Sequence, residues 1–108
     1  MPDFDLPALD ADTAIAMPGA VWVDLRRPSA REASGRTVAG ATLRDPTAFG
    51  HDDPLTGEGR PIIVFCAHGH ELSQFGCALL LVHKRDARYV RGGFEALAAA
   101  GAPLVPIA

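Results

Sequence analysis

The run Pro61-Ile62-Ile63-Val64-Phe65, with the segment behind it, restricts the possible folds more than any other part of the chain. Five consecutive apolar residues, three of them β-branched, suit a strand covered on both faces, because a half-exposed strand alternates apolar with polar positions. The chain then passes through Cys66 and a turn rich in Gly and His, and enters "ELSQFGCALLLVHKR". There Leu72, Phe75, Leu79 and Val82 recur at near-helical spacing, and His83, Lys84 and Arg85 fall at the negative end of the expected helix dipole. Strand, short turn and helix in that order predict a crossover unit of an α/β sheet.

The flanking sequence repeats the alternation. "ALDADTAIAM" predicts a short helix capped by Asp10 or Asp12 and ended by Pro18-Gly19. "AVWVDLR" predicts a buried strand over Val21 to Val23, with Asp24 to Arg26 at its carboxyl end. The polar stretch "RPSAREASGRTVAGATL" reads as irregular, with Gly35 and Gly40 at turns and a short strand between Val38 and Leu43. Residues 44 to 61 read as a connecting loop with one helical turn near Thr47 to Phe49, since prolines, Asp and Gly crowd it. "ARYVR" predicts another strand, Gly92-Gly93 a turn, and "FEALAAAG" a last helix ended by Gly101 and Pro103. The expectation is one α/β domain over residues 1–108, with a mostly parallel central sheet and helices on both faces. Ligands of such sheets gather beyond the carboxyl ends of the strands, where Cys66 falls.

Composition narrows the partners. Of 108 residues, 48% are hydrophobic and 21% charged, as in globular proteins and unlike disordered tails. A net charge of -3 gives no counterion-release energy toward nucleic acid and no attraction to an anionic membrane, so neither is an expected partner. The acidic start "MPDFDLPALD" is unlike a secretory signal, no apolar stretch is long enough to span a bilayer, and a cytoplasmic location is expected. Two cysteines, Cys66 and Cys77, are too few for a disulfide scaffold. If Cys77 lies on the helix that Cys66 precedes, about three turns separate them, beyond disulfide reach.

A cysteine between a buried strand and a helix is placed for nucleophilic chemistry. Amides of the turn and of the first helical residues have no intrahelical partner, and they can stabilise a thiolate together with the helix dipole. The thiolate is the nucleophile. Gly69 permits the positive φ that a curled loop of inward amides needs. A phosphate ester would suit the same loop, but no arginine stands between Cys66 and Phe75 to clamp its oxygens, so sulfur chemistry ranks above phosphate-ester hydrolysis.

Four elements then make the chain resemble the rhodanese-like (sulfurtransferase) family over nearly its whole length. "VWVDLR" is similar to the family's strand ending in Asp-x-Arg, and "SGRTVAGA" to its Gly-His-Ile-Pro-Gly-Ala segment. "IIVFCAHG" resembles its strand with the catalytic cysteine, and "YVRGGFEALAAAGAPL" its Gly-Gly-containing ending. The resemblance implies a cofactor-free sulfurtransferase in which Cys66 takes sulfane sulfur from a small anionic donor, such as thiosulfate or a persulfide. The resulting persulfide passes its sulfur to a thiol, cyanide or a protein acceptor. It further implies an active-site loop of Ala67, His68, Gly69, His70, Glu71, Leu72 and Ser73, with Asp24 and Arg26 as a supporting polar cluster.

The sequence also departs from that pattern. Where many members carry arginine five residues after the cysteine, this chain has Glu71, followed by Leu72. Facing the sulfur, Glu71 would raise the thiol pKa and repel thiosulfate; in the first helical turn facing solvent it would favour the dipole, and the second placement is expected. Arg36 or Thr37, Ala39 and Leu97 replace other family residues as packing variation. Glu71 also supports the alternative of a non-catalytic rhodanese-like module that binds a partner or senses redox state. Cys77 is expected in the core. Cys66, His68 and His70 form a Cys-x-His-x-His run, but His51, Cys77 and His83 are isolated, so no metal site is expected. Asp24 and Arg26 are either a surface pair of little value or an orienting pair at the catalytic edge.

Overall fold

The computed structural model describes residues 6–107. Residues 1–5 and 108, including Pro2 and most of the acidic start, lie outside the described residues. Five parallel strands form the sheet, in the order β1 (Ala8–Leu9), β6 (Ala87–Val90), β5 (Ile62–Phe65), β2 (Val21–Asp24), β4 (Thr42–Leu43). A second, two-stranded antiparallel ribbon joins β3 (Arg36–Val38) to β7 (Leu104–Pro106). The apolar run after Pro61 thus becomes the middle strand, and the four strand residues are all buried. Each such side chain contributes about 1.5–3 kcal/mol by leaving water.

The pleat of β5 divides the core in two. Ile62 and Val64 point toward α3 (Glu71–Val82) and pack with Cys77, Leu79 and Leu80. Ile63 and Phe65 point the other way, into a cluster with Ala14 of α1 (Ala11–Ala16) and Leu97 of α4 (Gly93–Ala99). Helices therefore cover both faces of a parallel sheet, as the alternation of patterns predicts.

On α3 the buried stripe is Ser73, Gly76, Cys77 and Leu80, with Leu79 beside it, while Phe75 and Val82 of the expected apolar face are exposed. Gly76 explains this rotation. A Cβ there would collide with Leu25 Cδ1, so the helix approaches the sheet most closely at its glycine, and the larger residues turn outward.

Several local expectations change. The stretch read as irregular after Arg27 contains α2 (Pro28–Ser34), with proline in its first turn and Gly35 beyond its end. The single strand expected over 38–43 is two, β3 and β4, separated by a turn at Gly40. In the connecting loop the described helical turn is a 3₁₀ segment at Pro54–Gly57, while 46–48 form a plain turn. Asp10 occupies the N-cap of α1, but its carboxylate binds Arg91 at 3.0 Å and not the helix amides.

Candidate active site

Cys66 follows β5 at the centre of the sheet, where the chain turns toward α3. It is 4% exposed, yet its side is part of the wall of a pocket of about 480 Å³. Ala67, His68, His70, Glu71 and Leu72 of the following segment line the same pocket. The opposing segment contributes Arg26, Arg27, Ser29 and Ala30, from the end of β2 into the first turn of α2. Of the expected loop residues, Gly69 and Ser73 are buried beside the pocket instead of lining it.

Cys66 Sγ donates to the hydroxyl of Ser73 at 3.2 Å. The Ser73 hydroxyl is itself 3.4 Å from the carbonyl of His70, so it has a second acceptor for its own proton. When sulfur ionises, a hydroxyl in this position can rotate and donate to it, because a hydroxyl is both donor and acceptor. Among the described residues no backbone amide donates to Sγ in the thiol form. The expected ring of amides is therefore not assembled around the resting thiol, and Ser73 is its hydrogen-bond partner.

The loop carbonyls explain where the amides face. Phe94 N–H donates to Cys66 O at 2.7 Å and Glu95 N–H to Ala67 O at 3.4 Å, so the first turn of α4 draws both carbonyls to itself. In a trans peptide the N–H points opposite the C=O, so the amides of Ala67 and His68 project away from α4. Gly69 O is taken by the Gln74 side chain at 3.2 Å. Among the described residues none of the amides of residues 67–73 donates to a protein acceptor, and those of Ala67, His68, His70, Glu71 and Leu72 belong to residues that line the pocket.

Two glycines permit the loop to lie on α4. Gly69 has φ 75°, and a Cβ there would stand 2.5 Å from Val90 O and 2.7 Å from Gly92 N. Gly93 has φ 58°, and its Cβ would strike the Cys66 carbonyl oxygen and approach Gly69 N to 2.6 Å. Backbone touches backbone at this point. The Gly-Gly pair of the sequence is thus the seat on which the Cys66 loop rests.

Asp24 and Arg26 form a buried pair, not a surface one, at 0% and 2% exposure. The Asp24 carboxylate accepts from Arg26 N at 3.0 Å, Nη2 at 2.8 Å and Nε at 3.1 Å, and from Thr37 Oγ1 at 2.8 Å. Arg26 also donates to Ser34 Oγ and to the Arg36 carbonyl. Its guanidinium lies 3.9 Å from the centre of the Phe94 ring. Because Phe94 N–H holds the Cys66 carbonyl, the cluster supports the loop through Phe94, with most of the guanidinium protons already committed.

Charge around the pocket is mixed. Glu71 opens α3, exposed in the first turn as expected, and is also among the residues that line the pocket. His68 Nδ1 lies 2.7 Å from Glu95 Oε2, which ties the loop to α4 at the surface. Burial alone pushes the Cys77 thiol up to about 11, so Cys77 remains a neutral core residue at ordinary pH. His51 Nδ1 and His83 Nε2 meet at 2.8 Å on the exposed surface, outside the pocket lining. Among the described residues no three His, Cys, Asp or Glu side chains come together in an arrangement that could hold a metal ion.

Superposition on solved structures decides the architecture. The rhodanese-like domain of an Anabaena protein matches 94% of this chain and 80% of its own, at a TM-score of 0.76 and 22% identity. The chain has the rhodanese-like fold. A rhodanese-related protein from Thermoplasma volcanium matches at a TM-score of 0.73 and 19% identity, over 92% of this chain and 97% of its own. The thiosulfate sulfurtransferase of Pseudomonas aeruginosa matches at 0.75 and 19% identity over 94% of this chain, which spans 19% of that protein. No family model and no curated protein matches the sequence.

Sequence reasoning missed Arg27, Ser29 and Ala30 because it read their segment as irregular. The available signal was Pro28 in the first turn of a helix, followed by the good helix formers Ala30, Arg31, Glu32 and Ala33. A helix at that point, returning from the end of β2, necessarily presents its first turn to the carboxyl edge of the sheet.

Proposed function

We propose that the protein is a sulfurtransferase that carries sulfane sulfur as a persulfide on Cys66. The observation that carries this reading is the placement of the thiol: pocket-facing, bonded to Ser73, and followed by a loop whose amides are uncommitted. In the first half-reaction the Cys66 thiolate attacks the sulfane sulfur of a donor R–S–SH. A new S–S bond forms on Cys66, the donor's S–S bond breaks, and R–S⁻ leaves and takes a proton from water. In the second, an acceptor thiolate or cyanide attacks the outer sulfur, the Cys66–sulfur bond breaks, and the Cys66 thiolate is regenerated.

No net oxidation occurs and no cofactor is required. The Ser73 hydroxyl and the amides of residues 67–73 stabilise the thiolate and the persulfide anion, each charge-assisted bond contributing about 1.5–3 kcal/mol. Asp24 and Arg26 hold the loop and take no part in bond making. The expected partners are a small sulfur-bearing donor and a thiol or protein acceptor.

The test is direct. Purified protein exposed to thiosulfate, polysulfide or an organic persulfide should gain one sulfur atom at Cys66 by mass spectrometry and pass it to a thiol. Cys66→Ser should remain folded and gain none; transfer undiminished in that variant rules the mechanism out. Glu71 at the pocket wall favours a second reading, a rhodanese-fold module that binds a partner or senses redox state without turnover. Failure of every donor to load Cys66 would favour it over the first.

A further inference from the structure

The charge of the pocket wall is unlike that expected for a small dianion. The Arg26 guanidinium is cancelled by Asp24 at 2.8 Å and is 2% exposed. Among the described residues that line the pocket, Arg27, exposed at the β2–α2 junction, and Glu71, exposed at the start of α3, are the other charged side chains, with His68, paired to Glu95, and His70 beside them. Arg27 and Glu71 come from different walls of this pocket of about 480 Å³, to which Ala30, Ala67 and Leu72 add apolar surface. A compact dianion gains from Arg27 what it loses to Glu71, and has no apolar part to bury. A molecule bearing both an ammonium and a carboxylate gains at both ends.

Resting on the reading of Cys66 as a sulfur carrier, we infer that Glu71 and Arg27 select a zwitterionic amino-acid persulfide over thiosulfate. Glu71 takes the ammonium of the bound persulfide and Arg27 its carboxylate, while the short stem lies against Ala67 and Leu72. This orientation turns the sulfane sulfur toward Cys66. The chemistry is the half-reaction above with R an amino-acid side chain: the Cys66–sulfur bond forms, the donor's S–S bond breaks, and the amino-acid thiolate leaves and is protonated. No other reagent is consumed.

The experiment compares initial rates of sulfur loading on Cys66 from three donors: cysteine persulfide, thiosulfate, and the persulfide of N-acetylcysteine methyl ester, which lacks both charges. Cysteine persulfide should load about tenfold faster than its capped form. In Glu71→Arg the ratio of cysteine persulfide to thiosulfate rates should fall by about tenfold or more, since one substitution removes an attraction for the first and a repulsion for the second. Arg27→Ala should slow cysteine persulfide by a larger factor than the capped donor. Glu71→Gln, which keeps the helix start intact, should fall between wild type and Glu71→Arg. A capped donor as fast as the zwitterion, or a donor ratio unmoved by Glu71→Arg, overturns the selection while leaving sulfur transfer standing. Loading by no donor at all overturns both.

Discussion

Replacing Asp24 with alanine should destabilise the protein by about 3–5 kcal/mol, because it removes one member of a buried ion pair and strands the other. The Asp24 carboxylate accepts from Arg26 N, Nε and Nη2 and from Thr37 Oγ1, and both charged side chains are almost wholly excluded from solvent. Without it the guanidinium keeps Ser34 Oγ and the Arg36 carbonyl as partners, two neutral acceptors for a full charge. A loss of this size is a large share of the roughly 5–15 kcal/mol available to a domain. At a typical urea dependence of about 1–3 kcal/mol per molar, the unfolding midpoint should fall by about 2 M. The double variant Asp24→Ala with Arg26→Met should recover at least half of the loss, since it leaves no orphan charge. Urea titrations followed by circular dichroism measure the wild type, the single variants Asp24→Ala and Arg26→Met, and the double variant. A loss below about 1 kcal/mol in Asp24→Ala, the value of an exposed pair, refutes the reasoning. So does a double variant whose loss equals the sum of the two single ones.

Gly93→Ala should lower stability by at least about 1–2 kcal/mol from its positive φ alone, and should also slow sulfur loading, because its methyl group displaces the Cys66 carbonyl. Retention of wild-type loading in a folded Gly93→Ala protein would show that the loop does not depend on this seat. Ser73→Ala removes the hydroxyl bonded to Sγ and should slow Cys66 alkylation at neutral pH by about three- to tenfold, read from a pH series with iodoacetamide. In the native protein the same reagent should modify Cys66 and spare Cys77 up to about pH 9, located by peptide mass spectrometry. Cys77 also makes stability depend on pH: its native thiol ionises near 11 and its unfolded one near 9.0, so the unfolded state loses its proton first. Its contribution is full below pH 9 and is lost as pH rises to 11, by roughly 2–3 kcal/mol, and Cys77→Ala should abolish that slope.

The central strand, helices α1, α3 and α4 and the position of Cys66 were legible because each is written in a local pattern. An unbroken β-branched run can hardly be anything but a covered strand, and the residue after it must fall at the sheet edge. The orientation of α3 was not legible. Its apolar residues fill more than one face, and the choice between faces is made by Gly76 against Leu25, a contact between residues far apart in sequence. For the same reason β7 went unread: Leu104–Pro106 becomes a strand only by pairing with β3, and nothing local marks it. The polar pair Asp24 and Arg26 was legible as a candidate, but its burial was not, since that depends on Thr37, Ser34 and Phe94 arriving from three other elements. The loop's hydrogen-bonding direction is set by α4, whose first amides claim the carbonyls of Cys66 and Ala67.

That claim on the carbonyls separates what is permanent in the domain from what is exchangeable. The path of the loop is fixed by peptide groups that a neighbouring helix holds, so it does not rest on the side chains of His68, His70 or Glu71. Those three positions are exposed and can be rewritten without disturbing the interior. A library randomised there, on an otherwise unaltered chain, should yield folded proteins that differ in the molecules they accept.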